Sequence, residues 1–120
     1  MWNFEQASGN LSQDSTFVAT GWAGHSEGKN NPAMQNVPDV GPLPVGTYSI
    51  GEPHDSPHTG PYTMDLTPDP DNTMFGRSEF RIHGAAFVNP DMSSDGCIIM
   101  PRVVREKIWS SNDRSLEVSA

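Results

Sequence analysis

The chain has 120 residues, of which 34% are apolar, and it contains eleven Gly and eleven Pro. This length and composition predict one domain over residues 1–120 with a small core, and they favour a mainly β fold over a helical bundle. Fifteen acidic residues against seven basic ones give a formal net charge of −8, which argues against nucleic acid as a partner. No window approaches eighteen consecutive apolar residues, so we expect no membrane insertion.

The first half of the chain is predicted to contain short strands separated by long loops. Alternation at Trp2, Phe4 and Leu11, followed by "TFVAT", predicts two short strands in a hairpin. Residues 21–44 are dominated by Gly, Asn, Pro and Ser, which indicates a long loop, and long ordered loops are often functional. "VGTYSIG", residues 45–51, alternates between flanking glycines and predicts a strand.

The second half is predicted to contain further strands and one helix. "YTMDLTP", residues 62–68, and "FRIH", residues 80–83, predict strands. Pro101 suits the first turn of a short helix. Four apolar residues of that helix fall on one side at helical spacing: Val103, Val104, Ile108 and Trp109. "SLEVS", residues 115–119, predicts a last short strand that closes the sheet.

The stretch "RIHGAAFVNPDMSSDGC" ends at Cys97, the only cysteine of the chain, so no internal disulfide is possible. Thiol catalysis needs an accessible thiolate, a base and donors for an oxyanion. We predict Cys97 as the nucleophile, ionising at lower pH than an ordinary cysteine, and His83, at a strand end, as the base. The backbone amides of Gly96 and Cys97 are the predicted oxyanion donors, and Arg102 in the first helical turn is a candidate clamp for a substrate carboxylate.

Cys97 and His83 also allow a purely structural interpretation, because a free cysteine is among the most buried residue types and a histidine at a strand end is often only hydrogen-bonded. The local sequence favours catalysis instead. The polar, turn-forming "SSDG" places Cys97 on a loop, where a structural cysteine has no reason to lie.

The order His-Gly, a loop and then Ser-x-Gly-Cys-Ile resembles the active-site signature of L,D-transpeptidase catalytic domains. "GKNNPAMQNVPDVGPLPVGTYSIG", "LTPDPDNTMFGRSEFRIHG" and "SDGCIIMPRVVREKIW" resemble, more specifically, the bacterial branch of type VI secretion L,D-transpeptidase effectors, once catalogued as a domain of unknown function. The resemblance runs from Trp2 to about Val118. It implies a small β-sandwich or barrel of mixed sheets, with one short helix after the catalytic cysteine.

The resemblance also implies the site residues. The family's nucleophile falls on Cys97, its base on His83 within the His83–Gly84 pair, and its oxyanion turn on Ser94 and Gly96. No metal or cofactor is implied.

Two positions depart from the broader transpeptidase pattern. Asp95 stands where the wider family has a second histidine, and Ile99 stands where it has an arginine. Because a carboxylate beside the thiol opposes the thiolate, we expect Asp95 to point to solvent or to bind a substrate ammonium group. Arg102 or Arg105 is expected to replace the missing arginine.

The implied substrate is the stem peptide of bacterial peptidoglycan. Cys97 would form a thioester with the third-position diamino acid and release the fourth-position D-residue. Water would complete an L,D-carboxypeptidase reaction, whereas an amine would give exchange or cross-linking. We expect the polar loop, residues 21–36, to form a wall of the substrate cleft, with His25 and Asn31 as candidate substrate contacts.

The N-terminal "MWNFEQASGN" lacks the basic start and apolar run of a secretory signal. With the resemblance, this predicts a protein made in the bacterial cytoplasm, delivered by secretion machinery as an antibacterial toxin, and acting in the periplasm or cell wall. A cognate immunity protein is then the expected partner.

The alternatives to this interpretation are other thiol enzymes, a metal site and a non-catalytic module. Papain-like peptidases place Cys before His, and sortases have a much longer gap between the two and a Thr-rich motif that is absent here. His54 and His58, with Asp55 between them, sketch a metal site, but such a loop is more often only solvated, and no metal is assigned. The alternative from another class is a non-catalytic module that binds peptidoglycan or a partner protein through the same fold.

Overall fold

The computed structural model describes residues 1–120 and is mainly β, as predicted. The strands are β1 Trp2–Glu5, β2 Asn10–Gln13, β3 Thr16–Thr20, β4 Trp22–Ala23, β5 Gly46–Ile50, β6 His54–Ser56, β7 Gly60–Pro68, β8 Arg81–His83, β9 Ile98–Ile99 and β10 Ser115–Ser119. The one α-helix is α1, Arg102–Ser110. Short 3-10 turns cover Ser26–Gly28, Pro32–Met34 and Pro90–Met92.

The strands form a continuous mixed sheet in the order β3-β2-β1-β10-β5-β7-β8-β9-β4, with β6 paired to β7 outside this path. The pairs β1–β10 and β8–β9 are parallel, and the other pairs are antiparallel. The predicted strands β5, β7 and β8 are all present, with bounds shifted by one or two residues.

The N-terminal region has three strands, so the predicted hairpin of two strands is wrong. Gly9 has φ +76°, and a Cβ at this position would lie 2.0 Å from the carbonyl oxygen of Gly21. Asp14 and Ser15 both have positive φ, which is the conformation of a tight two-residue hairpin turn. Each of these two turns reverses the chain, and β2 therefore lies between β1 and β3.

The C-terminal strand β10 lies inside the sheet, between β1 and β5. The strand predicted at "SLEVS" is therefore present, but it lies within the sheet and does not close it. Leu116 and Val118 of β10 are buried, and they join Trp2 and Phe4 of the parallel neighbour β1 in the core. The two ends of the chain are thus held together by strand pairing and by apolar burial, which stabilises the fold by roughly 2 kcal/mol for each large side chain.

Helix α1 begins after Pro101, as predicted. Ile108 is buried as expected, but Val103 is 71% exposed, so the prediction that it shares the inner side is wrong. Arg105 takes the inner position instead, because backbone carbonyls bind its guanidinium there. None of the helices has the length and apolar character needed to cross a lipid bilayer.

Candidate active site

Parallel pairing of β8 with β9 brings His83 and Cys97 to one place. Ile82 pairs with Ile98 and His83 with Ile99, and Cys97 directly precedes β9. Alternate residues of a strand point to opposite faces. Ile82 is therefore buried in the core, whereas His83 lies on the wall of a cavity of about 450 Å³ that Cys97 also lines.

His83 is 4% exposed, and its Nδ1 lies 2.9 Å from the carbonyl oxygen of Gly84. Because a carbonyl only accepts, Nδ1 carries the ring proton and Nε2 is left as the basic nitrogen. Burial lowers the pKa of His83, and the charges of Arg105 and Arg81 lower it further, whereas the hydrogen bond to the Gly84 carbonyl raises it. His83 is therefore neutral at pH 7 and able to accept a proton.

Cys97 is 8% exposed, with Sγ 3.9 Å from the carbonyl oxygen of Glu79. Burial raises the pKa of Cys97 to about 11, although the backbone N–H and the charge of Arg81 lower it. The prediction of a readily ionised thiolate is therefore wrong for the resting protein. The pair rests as a neutral thiol and a neutral imidazole, so proton transfer must accompany attack by the sulfur.

The turn that carries the sulfur is built around Ser94, which is fully buried. Its Oγ accepts hydrogen bonds from the N–H groups of Gly24, at 2.8 Å, and Gly96, at 3.0 Å, and it donates to the carbonyl of Cys97 at 2.6 Å. The Gly96 amide is thus already engaged, and its predicted role as an oxyanion donor is not supported. The Cys97 amide remains the candidate donor.

Asp95 lines the cavity with its side chain 74% exposed, so it points to solvent, which is one of the two expected positions. Its Oδ1 lies 3.7 Å from Nδ1 of His25. That nitrogen is closer, at 2.8 Å, to the carbonyl oxygen of Ser94. His25 therefore supports the turn before Cys97, and it is not among the residues that line the cavity.

The loop of residues 21–36 does not form the expected cleft wall. Asn31 caps a 3-10 turn: its Oδ1 accepts from Ala33 N–H, and its Nδ2 donates to the carbonyl of Glu27. The wall comes instead from three other segments, at residues 38–39, 58–59 and 76–81, together with His83 and the region of Cys97. The loop of residues 21–36 instead supports the turn before Cys97, because the Gly24 N–H donates a hydrogen bond to Oγ of Ser94.

Neither helix arginine lines the cavity that contains Cys97, so neither supplies the arginine expected there. Arg102 is exposed, pairs with Glu106 at 3.2 Å and lies over the ring of Tyr62 at 4.6 Å. Arg105 is buried and donates to three backbone carbonyls, at distances of 2.8 to 3.0 Å. The acceptors are Met100, Pro61 and Tyr62.

Five ionisable residues of the cavity are not among the site residues predicted from the sequence: Asp39, His58, Arg77, Glu79 and Arg81. Arg81 lies within "FRIH", and Glu79 directly precedes this stretch. Because alternate residues of a strand share a face, the strand pattern could have placed Arg81 on the same face as His83. His58 was interpreted as solvated. Arg77 had no local signal, since its hydrogen-bond acceptors lie 18 to 42 residues away.

A second cavity, of about 490 Å³, is also lined by His83 but not by Cys97. Its wall includes Gly84, Phe87 and Arg105, and it shares His83 and His58 with the first cavity.

The other histidine of the suspected metal loop, His54, pairs with Asp65 through Nε2 at 3.1 Å. This contact raises the pKa of His54. No group of three or more His, Cys, Asp or Glu side chains is arranged to hold a metal ion.

Together these features describe a small mainly β domain with a cysteine and a histidine on the wall of a polar cavity. The chain matches the Tlde1 domain over residues 18–119 and belongs to this family of type VI secretion L,D-transpeptidase effectors, so the resemblance found in the sequence is confirmed. No curated protein matches the chain. Membership assigns the chain to a class of effectors with L,D-transpeptidase-like activity and a role related to peptidoglycan.

Proposed function

We propose that the protein is a cysteine-dependent enzyme that cleaves peptidoglycan stem tetrapeptides between the third-position diamino acid and the terminal D-residue. In this proposal Cys97 is the nucleophile and His83 the general base. The family supports the class of reaction. The observation that carries the residues is the cavity lined by both Cys97 and His83, in which a neutral imidazole keeps Nε2 available.

Acylation begins with a neutral pair. Nε2 of His83 accepts the thiol proton as Sγ of Cys97 attacks the carbonyl carbon of the third residue. The Cys97 amide is the donor for the oxyanion that forms. When the tetrahedral intermediate collapses, the peptide bond breaks, and His83 gives its proton to the departing amine of the D-residue. The lowered pKa of His83 makes its protonated form a better acid for this second step.

Deacylation reverses the roles. Water gives a proton to His83 and attacks the thioester, which releases the tripeptide and returns the proton to the sulfur. An incoming amine that attacks in the same way gives exchange or cross-linking. Either acceptor would be activated by His83, which lines the same cavity as Cys97.

The charges on the cavity wall suit a zwitterionic peptide. Asp39, Glu79 and Asp95 are acidic, while Arg77 is basic and so is Arg81, which pairs with Asp65 at 3.1 Å. A stem peptide carries both ammonium and carboxylate groups, so each sign on the wall has a counterpart in the substrate.

The place of action follows from the family. We propose delivery by a type VI secretion machine, action in the periplasm of a target cell, and neutralisation by a cognate immunity protein in the producing cell. The family is the support for this route.

Mass spectrometry of purified muropeptide tetrapeptides tests the reaction. The wild-type protein is expected to convert them to tripeptides, Cys97→Ala to give none, and His83→Gln to lower kcat by about 10² to 10⁴-fold. His54→Gln is the matched control, since His54 is exposed and outside the cavity, and it is expected to retain activity. Activity in Cys97→Ala would refute the mechanism.

The buried thiol, with its pKa raised to about 11, also favours a second candidate, a non-catalytic module that binds peptidoglycan. A wild-type protein that pulls down with purified sacculi but releases no D-residue would establish this alternative.

A further inference from the structure

Arg77 lies against the turn that carries Cys97, and it is 8% exposed. Its guanidinium donates four hydrogen bonds, two from each terminal nitrogen. Nη1 reaches two carbonyls at 2.6 and 2.8 Å, and Nη2 reaches two at 3.0 and 3.1 Å. The four acceptors are the carbonyls of Gln35, Pro42, Gly41 and Asp95. One side chain thus ties the segment of residues 35–42 to a residue two positions before the nucleophile.

The turn is packed directly on this cation. A Cβ at Gly96 would lie 2.7 Å from Nη2 of Arg77 and 2.7 Å from Cε1 of Phe80. The guanidinium carbon of Arg77 lies 5.1 Å from the centre of the Phe80 ring. Gly96 also has φ +139°. Both the absence of a side chain and the unusual φ allow the backbone beside Cys97 to approach the guanidinium.

Arg77 has no carboxylate partner within salt-bridge distance, since all of its bonds go to neutral carbonyls. Its charge is therefore left to act on its surroundings. Arg81 and, to a smaller extent, Arg77 favour the ionised form of the Cys97 thiol, whereas Asp95 opposes it. The other ionisable groups on the same cavity wall are Asp39, His58, Glu79 and His83.

We propose that Arg77 is a positioning residue for Cys97, which fixes the turn of residues 94–97 through the Asp95 carbonyl and stabilises the sulfur anion that forms when His83 takes the thiol proton. The proposal rests on the proposed role of Cys97 as nucleophile. The anion is otherwise poorly solvated, because the sulfur is buried, so a fixed cation in a water-poor site has a large effect.

Alkylation of the sulfur tests this directly. Cys97 is the only cysteine, so the rate of reaction with iodoacetamide, measured from pH 6 to 11, reports on this one thiolate. Arg77→Gln removes the charge and keeps hydrogen-bond donors, whereas Arg77→Lys keeps the charge and loses the fork geometry. At pH 9 the Gln variant is expected to react about threefold to tenfold more slowly than wild type, and the Lys variant within about twofold of it.

The control is Arg114→Gln, which removes the charge of another arginine that donates to a backbone carbonyl but lines neither cavity. It is expected to react at about the wild-type rate. Thermal unfolding of each variant confirms that the folded protein is being compared.

Equal rates in folded wild type and Arg77→Gln would overturn the proposal, and so would a Lys variant as slow as the Gln variant. Failure of both Arg77 variants to fold would make Arg77 purely structural and would also overturn it. Because alkylation needs no substrate, these outcomes are independent of the tetrapeptide assay, which tests the proposed function separately.

Discussion

The two members of the proposed catalytic pair each have a buried arginine behind them, but the two arginines act on different protonation states. Arg77 supports the turn before Cys97, and its charge favours a charged sulfur. Arg105 lies behind His83, where a Cβ at Gly84 would be 2.7 Å from its Nη2, and its charge disfavours a charged imidazole.

In the proposed mechanism, the two arginines assist different steps of catalysis by a buried and neutral pair. Arg77 lowers the free energy of the sulfur anion, which is the form that attacks. Arg105 makes the imidazolium more acidic, which helps it return the proton to the leaving amine. The pair still rests neutral, because burial outweighs the effect of Arg77 on Cys97 and acts in the same direction as Arg105 on His83.

The largest expected effect is the loss of stability when an alanine replaces the glycine packed against each arginine, Gly96 at Arg77 and Gly84 at Arg105. Gly96→Ala forces a Cβ onto Arg77 and Phe80 at a φ of +139°, whereas Gly84→Ala meets only the end of Arg105 and has no positive φ. We expect Gly96→Ala to lower the free energy of unfolding by about 2 to 3 kcal/mol and Gly84→Ala by about 1 kcal/mol. Urea denaturation at fixed pH measures both. Equal losses would show that the backbone of the nucleophile turn is no more constrained than that of the base.

The second difference concerns pH. His83 acts as a base only when neutral, so activity is lost as pH falls through its pKa. Because the charge of Arg105 lowers that pKa, its removal in Arg105→Gln raises the pKa of His83, and the acidic limb of the kcat/KM profile moves to higher pH. Arg105→Lys keeps the charge and is expected to leave the limb in place. If the acidic limb of the Gln variant does not move, or moves to lower pH, the charge of Arg105 does not lower the pKa of the base.

The sequence predicts the elements that carry the pair better than the arginines that support it. The strands β5, β7 and β8 and the helix after Pro101 follow from alternation and from Gly and Pro, which are local signals. The parallel pairing that brings β8 beside β9 was not predicted, because β9 has only two residues and its partner is a separate segment of the chain.

The supporting residues were not predictable in this way. Arg77 reaches carbonyls of Gln35 and Pro42, and Arg105 reaches those of Pro61 and Tyr62, all in other parts of the chain. Carbonyl acceptors carry no residue-type signal, because every residue has one. The raised pKa of Cys97 was not predicted for a related reason. The polar composition of "SSDG" suggests an exposed turn, yet Ser94 is fully buried and uses its hydroxyl in hydrogen bonds to the backbone of the turn.

The smallest effect is expected at Arg102, the arginine first suggested as a substrate clamp. Its guanidinium is exposed, pairs with Glu106 and covers the ring of Tyr62, outside the cavity that contains Cys97. An exposed pair of this kind contributes about 0.5 kcal/mol or less. Arg102→Ala is therefore expected to keep kcat/KM for tetrapeptides within about twofold and to change the free energy of unfolding by less than about 1 kcal/mol. A tenfold rise in KM with unchanged kcat would instead place a substrate carboxylate at the start of α1, and the distinction between the buried arginines and this exposed one would then fail.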